Sequence, residues 1–231
     1  MISSLIIDSV MVGQSQPLAR GKSSAIAKSP VHHPVWIGEL GLEGDTQVDT
    51  QHHGGPEKAV HIYPMDHYAT WITELSSQTA RELLQKPGAF GENLSVRGLT
   101  EHDVCLGDIW RAGSALLQIS QGRQPCWKLN ERFQTSDMAR RVQDSGRTGW
   151  YFRVIESGHV EAGSNFVLEQ RLHPDWSIAR ISHVFYHDQL NRHALEALSQ
   201  LSELAESWKN LVKHRLATRR VEDWERRLGE E

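Results

Sequence analysis

Ala115-Leu116-Leu117-Gln118-Ile119-Ser120 runs directly into Gln121-Gly122-Arg123-Gln124-Pro125-Cys126-Trp127-Lys128, and this stretch decides the fold. The first six residues have the apolar content and length of a β-strand. Pro125 denies a sheet ladder one N–H, so the chain leaves the sheet there. Cys126 therefore sits at a strand exit, three residues after Arg123 and two before Lys128. Nearby cations stabilise a thiolate, the form that binds metals or attacks electrophiles. The alternative for Cys126 is a buried, inert cysteine. Cys105 lies in an alternating apolar segment beside Val104 and Leu106, and there the inert reading prevails.

Outward from this strand the first two-thirds of the chain reads as β-rich. Ser4–Val12, Ala59–Tyr63, Trp150–Ile155 and Phe166–Gln170 are further strand candidates, the last two flanking a hairpin-like turn at Glu156-Ser157-Gly158-His159. Closely spaced Gly91, Gly98, Gly107 and Gly113 suit a meander or barrel with tight corners. Helices interrupt the pattern. Asp66 is a cap candidate for one carrying Ala69, Ile72 and Leu75, Thr79–Lys86 reads as a second, and Ser136 or Asp137 begins a third that ends near Gly146. After His173-Pro174-Asp175 no glycine appears until Gly229. Helices are expected over Ser177–Tyr186, over Asn191–Leu198 with Asn191 as its cap, and over Ser202–Leu216 with Ser202 as its cap candidate, with a short last one in Val221–Leu228. The expected class is α+β, with a mixed, barrel-like β domain over residues 1–174 and a small helical domain over 175–231.

Composition excludes several functions. Among 231 residues, 29 acidic and 25 basic side chains give a net charge of −4, which offers no coherent basic field for nucleic acid. No segment approaches the ~18 unbroken apolar residues of a membrane span. The N-terminal apolar run is broken by Asp8 and lacks a basic leader region, so it reads as a strand, and a cytoplasmic protein is expected. Two cysteines cannot supply the four ligands that an iron–sulfur cluster normally takes. There is no G-x-G-x-x-G fingerprint either. Any redox chemistry here needs electrons from another protein.

Polar motifs mark the candidate site. Arg20 and Lys22, two apart on a presumed strand, would face the same way and place two cations on one anion, or else form a surface pair. His52-His53-Gly54-Gly55 is a glycine-rich loop that lets backbone approach a ligand. Asp45, Asp49, His52, His53 and His61 are alternative zinc or iron ligands, although their spacing matches no standard metal motif. Taken in order, Gly41-Leu42-Glu43-Gly44-Asp45, then Asp49 through Val60 with its His-His-Gly-Gly-Pro, Gly91-Glu92-Asn93-Leu94, Gly107-Asp108, and Arg123-x-Pro-Cys126 resemble the MOSC family. The helical C-terminal part resembles that family's YiiM-like branch.

The resemblance implies a mixed β-barrel-like fold and a molybdenum cofactor (molybdopterin) whose metal is bound by Cys126. A soft thiolate suits such a centre. It further implies that Arg20, Lys22 and Arg123 meet the cofactor phosphate, that Asn93 hydrogen-bonds the pterin, and that His53, Gly54 and Gly55 line the pocket. The implied chemistry is two-electron reduction of N-hydroxylated small molecules, such as hydroxylaminopurine-type bases or amidoximes, with electrons from a partner reductase. Asp45, His53 and His61 are the candidate proton donors. The alternatives are a sulfur carrier holding a persulfide on Cys126, a non-enzymatic cofactor carrier, and a metal-dependent hydrolase using the His52–His61 region.

Overall fold

The computed structural model describes residues 4–48 and 54–229. Its strands are β1 (Leu5–Gly13), β2 (Gln16–Pro17), β3 (Ser23–Ser24), β4 (Lys28–Val31), β5 (Val35–Gly38), β6 (Gly41–Leu42), β7 (Val60–Pro64), β8 (Leu94–Val96), β9 (Ile109–Ala112), β10 (Ala115–Gly122), β11 (Trp150–Glu156), β12 (Gly158–Val160) and β13 (Asn165–Gln170). Its helices are α1 (Asp66–Glu74), α2 (Gln78–Leu83), α3 (Lys128–Phe133), α4 (Met138–Ser145), α5 (Ile178–Tyr186), α6 (Arg192–Ser199), α7 (Glu206–Thr218) and α8 (Glu225–Leu228).

Seven strands run in the order β13-β9-β10-β11-β7-β8-β1 and close into a barrel, because β1 also pairs with β13 through Leu5↔Phe166. Every pairing in the barrel is antiparallel except β7 with β8. A parallel pair needs a long crossover, and α1 and α2 supply it. Strand β4 adds outside the barrel on β1, with Pro30 opposite Met11. Two small sheets, β12-β5-β6 and β2-β3, decorate it.

The interior is filled by side chains such as Ile7, Ile62, Leu94, Leu117, Ile119 and Phe152, and Trp110 stacks on Phe166 with ring centroids 4.4 Å apart. Strand β10 is buried at every residue, which explains its nearly continuous apolar reading. One face looks into the barrel. The C-terminal helices cover the other, so closely that a Cβ on Gly122 would stand 3.4 Å from both Ile178 and Trp208. Barrel and helices therefore share one hydrophobic cluster. A second cluster, built on Tyr63, Trp71, Phe90, Phe133 and Val142, lies under α1 to α4.

Several sequence expectations hold. Asn191 caps α6, accepting from Ala194 N, and helices form near the expected 177–186 and 191–198; Ser177 caps α5 in the same way, accepting from Arg180 N. Others are corrected. Trp150–Glu156 and Asn165–Gln170 are not hairpin partners: β11 pairs with β10 and β7, and His159 belongs to β12, which pairs with β5. Asp66 is the first residue of α1 and not its cap, its carboxylate accepting from Gly98 N across the crossover. Ser202 does not cap α7, which starts at Glu206. The preceding Ala205 gives its N–H to Ser120 O of β10, so the chain is tied to the barrel before the helix can begin. Cys105 is buried in a loop, its N–H held by Asp108.

Because the core is continuous, the chain is expected to unfold in one transition. Trp208→Ala should lower that whole transition by about 3–5 kcal/mol in urea titrations. A separate, earlier helical transition that leaves the barrel folded would contradict this.

Candidate functional site

A cleft opens where β10 leaves the barrel. It is lined by Arg123, Cys126 and Lys128 from the β10–α3 segment, Lys28 from β4, Lys58 from the turn before β7, His61 from β7 and Tyr151 from β11, with Asp45, Gln47, Phe90, Gly91 and Asn93 from loops. Among the described residues four cations, Lys28, Lys58, Arg123 and Lys128, line it against one carboxylate, Asp45. The cleft is an anion site by charge.

The segment bearing Cys126 is placed by its neighbours. Arg123 N donates to Gly149 O at 3.1 Å as the strand ends, and Cys126 O accepts from Leu129 N at 2.9 Å, starting the turn into α3. Cys126 is 6% exposed, within reach of the cleft but shielded from bulk water. Arg123 is equally buried, and its Nη1 has no hydrogen-bond partner among the described residues. A buried guanidinium N–H left unmatched costs free energy, and Arg123 is among the residues lining the cleft.

The opposite wall is built on Asp45. Its carboxylate accepts from Gly13 N at 2.7 Å, from Asn93 Nδ2 at 2.8 Å and from Lys28 Nζ through both oxygens. Asn93 in turn accepts from His61 N at 3.1 Å through its side-chain oxygen. Burial pushes the Lys28 ammonium below the ordinary lysine range, although the Asp45 charge opposes that shift. The loop before Asn93 is held by the fully buried Glu92, which accepts from Gly88 N, Phe90 N and Tyr68 Oη. Arg132 donates to the carbonyls of Gly88 and Ala89.

His61 is the deepest titratable group in the cleft. Its ring stacks on Tyr151, with centroids 4.7 Å apart. Gly149 has φ +70°, and a Cβ there would stand 2.4 Å from Ile62 O and 3.1 Å from His61 Nε2, so only glycine fits beside the imidazole. Burial first, and the Arg123 charge second, hold His61 well below the usual histidine range. Burial likewise raises Tyr151.

The structure brings together Cys126, Arg123, Asp45, His61 and Asn93. It does not bring Arg20 and Lys22 into the cleft. They lie in the turn between β2 and β3, not on one strand face. Arg20 has φ +53°, and its guanidinium lies 4.9 Å from the Trp127 ring centroid. The chain reverses there, so the two-residue alternation of a strand does not apply. Gly55 donates to Gln47 Oε1 at 3.1 Å and thereby steadies a lining residue without lining the cleft itself. Gly54 precedes it and is also outside the lining. His53, with Asp49 and His52, lies outside the described residues. Among the described residues no three His, Cys, Asp or Glu side chains converge as a metal-binding group. Lys28, Lys58 and Tyr151 were not anticipated from sequence. Lys58 stands within the 49–60 motif, which was its one signal, whereas Lys28 opens β4 and Tyr151 is the second residue of β11, outside the motifs.

A histidine kept neutral by the fold binds its proton more readily once unfolded, so the unfolded state takes up protons first as pH falls through 6.5, the ordinary histidine value. Stability should therefore decline below about pH 6.5, and His61→Asn should flatten that decline in melts at several pH values. An unchanged acid profile would show that His61 is not its source.

Known proteins match this architecture. Residues 49–167 match the MOSC domain and residues 176–219 the YiiM-like 3-alpha helix domain. Protein YiiM of Escherichia coli K12 is 41% identical over 219 residues, covering 95% of this chain and 96% of that protein. A crystal structure of E. coli YiiM superposes with a TM-score of 0.82 at 34% identity, covering 98% of this chain and 99% of that one. A Gibberella moniliformis protein named Reductase is 34% identical over 84% of this chain, which spans 34% of its length. No described helix is long and apolar enough to cross a membrane. With a closed seven-strand barrel, its thiol-bearing cleft and the appended helices all in agreement, the chain belongs to the MOSC family, in the branch that carries the YiiM-like 3-alpha helix domain.

Proposed function

We propose that the protein is a molybdenum-cofactor-dependent reductase that converts N-hydroxylated compounds, amidoximes or hydroxylamino bases, to their N–H forms. The observation that carries this reading is one buried cysteine and an unmatched buried Arg123 N–H in a cleft with four cations. That donor set fits the group. The thiolate of Cys126 suits a sulfur-rich metal centre, and Arg123, Lys58 and Lys128 offer the charge-assisted donors that a phosphate and a dithiolene-bearing pterin require. When bound, the cofactor would supply two-electron reducing chemistry.

The chain's own residues would hold, orient and protonate. N–OH plus two electrons and two protons gives N–H plus water, so acid must be delivered in the cleft. Asp45 already accepts three neighbours' hydrogen bonds, so the proton-bearing member of its ion pair is Lys28. Burial makes that ammonium a readier acid than an exposed lysine. Lys28 is thus the first donor to test, with His53 a further one. Phe90 and the stacked Tyr151–His61 pair limit the water that reaches the deep end. The electrons would come from a separate reductase, since two cysteines cannot hold an iron–sulfur cluster.

The test is molybdenum analysis of protein made in cells that synthesise the cofactor. Wild type should hold near-stoichiometric metal and Cys126→Ser should lose most of it. Turnover of an amidoxime with a chemical reductant should fall more than about 100-fold in Cys126→Ser, beyond the usual effect of a group that only supports a ligand. Molybdenum absent from both proteins, even after reconstitution, would overturn the proposal. Cyanide-labile sulfur on Cys126 would then favour the persulfide reading.

A further inference from the structure

The chain beyond the matched three-helix segment does something specific. After α7 it turns back across the barrel and lays α8 against the segment that carries Cys126. Arg227 O accepts from Trp127 N at 2.8 Å, and the Arg227 guanidinium donates to Pro125 O and to Gln143 Oε1. Pro125 O and Trp127 N belong to the two peptide groups on either side of Cys126. One residue, about a hundred positions downstream, thus pins both peptide units that set the backbone of the cysteine.

The neighbours of Arg227 reinforce this hold. Asn130 Nδ2 donates to Leu228 O at 2.8 Å, and Leu228 is 1% exposed. Gly229 has φ +79°, and a Cβ there would meet Trp127 Cβ at 2.7 Å. The anchor is itself tied into the helices. The buried Arg215 of α7 bonds Glu222 with two nitrogens, at 2.7 and 3.0 Å, and Glu222 accepts from Trp224 Nε1 at 3.0 Å. Trp224 packs edge-on against Tyr186 of α5, with centroids 5.9 Å apart.

We infer that Arg227 is a positioning residue for Cys126, and that the C-terminal helices serve to deliver it. Arg227 does not touch the cleft. It fixes the direction in which the cysteine side chain is presented and limits how often the loop opens. The consequence for catalysis rests on the reading of Cys126 as the metal ligand; the hold on the thiol does not.

The test uses full-length, cofactor-free protein and iodoacetamide, with the alkylation rate of each cysteine read by peptide mapping. Arg227→Ala should speed alkylation of Cys126 about tenfold or more, the scale of one lost charge-assisted hydrogen bond. Cys105, buried elsewhere, serves as the internal control and should not change. Arg227→Lys, which keeps a donor for Pro125 O but not the fork, should fall between. If Arg227→Ala does not fold, Gly229→Ala, which presses on Trp127, is read in the same way. An unchanged Cys126 rate in a folded variant, or equal acceleration of both cysteines, would overturn the inference. A confirmed hold in protein that takes up no molybdenum would sink the proposed function alone.

Discussion

The buried carboxylate of Asp45 is the constraint on which the cleft depends. It gathers the end of β1 through Gly13 N, β4 through Lys28 and the start of β8 through Asn93, and Asn93 passes the link to β7 through His61 N. Both Asp45 and Lys28 have side chains under a tenth exposed. Removing one partner from such a pair strands a charge out of water, typically at about 3–5 kcal/mol. Three hydrogen-bond donors around one carboxylate make the arrangement worth keeping, because every lone pair has a use. The wall opposite Cys126 is thus rigid before any ligand arrives, the condition for a site that discriminates by geometry.

A recurring division of labour follows. Several motif residues face each other more than they face the cleft. Glu92 and Arg132 fix the Gly88–Ala89–Phe90 backbone from its two sides, one accepting N–H groups and the other donating to carbonyls. Asn93 spends its amide on Asp45, Met11 and His61. The thiol of Cys126 and the cations Lys58, Arg123 and Lys128 line the cleft itself, and Arg123 Nη1 has no partner among the described residues. A motif-by-motif reading gathers these residues to one neighbourhood, while the bonds they make to one another belong to the folded chain.

Legibility in the sequence followed locality. Cys126 and Arg123 could be read because a strand, a proline and the thiol follow one another within a dozen residues. Asn191 could be read as a cap because capping stays within four consecutive residues. Lys28, Lys58 and Tyr151 could not, since what unites them is the strand order, which sets β11 beside β7 and reaches β4 through β8 and β1. Arg20 and Lys22 show the converse: strand alternation holds only along a strand, and these two lie in a reversing turn. Ser202 failed as a cap because Ala205 had a tertiary partner in Ser120. The pairing of β11 and β13 with more distant strands is likewise a property of the closed sheet, and no window of sequence contains it.

Closure also bears on how copies of the chain behave toward one another. With β1 bonded to β13, the main sheet has, among the described residues, one open edge, the outer side of β4. That edge is four residues long and contains Pro30, which has no N–H to offer an approaching strand. A short, proline-bearing edge is a poor template for strand addition. A protein whose core strand is as apolar as β10 thereby keeps its stickiest backbone inside a ring and shows crowded cellular neighbours an edge on which β-aggregation cannot readily start.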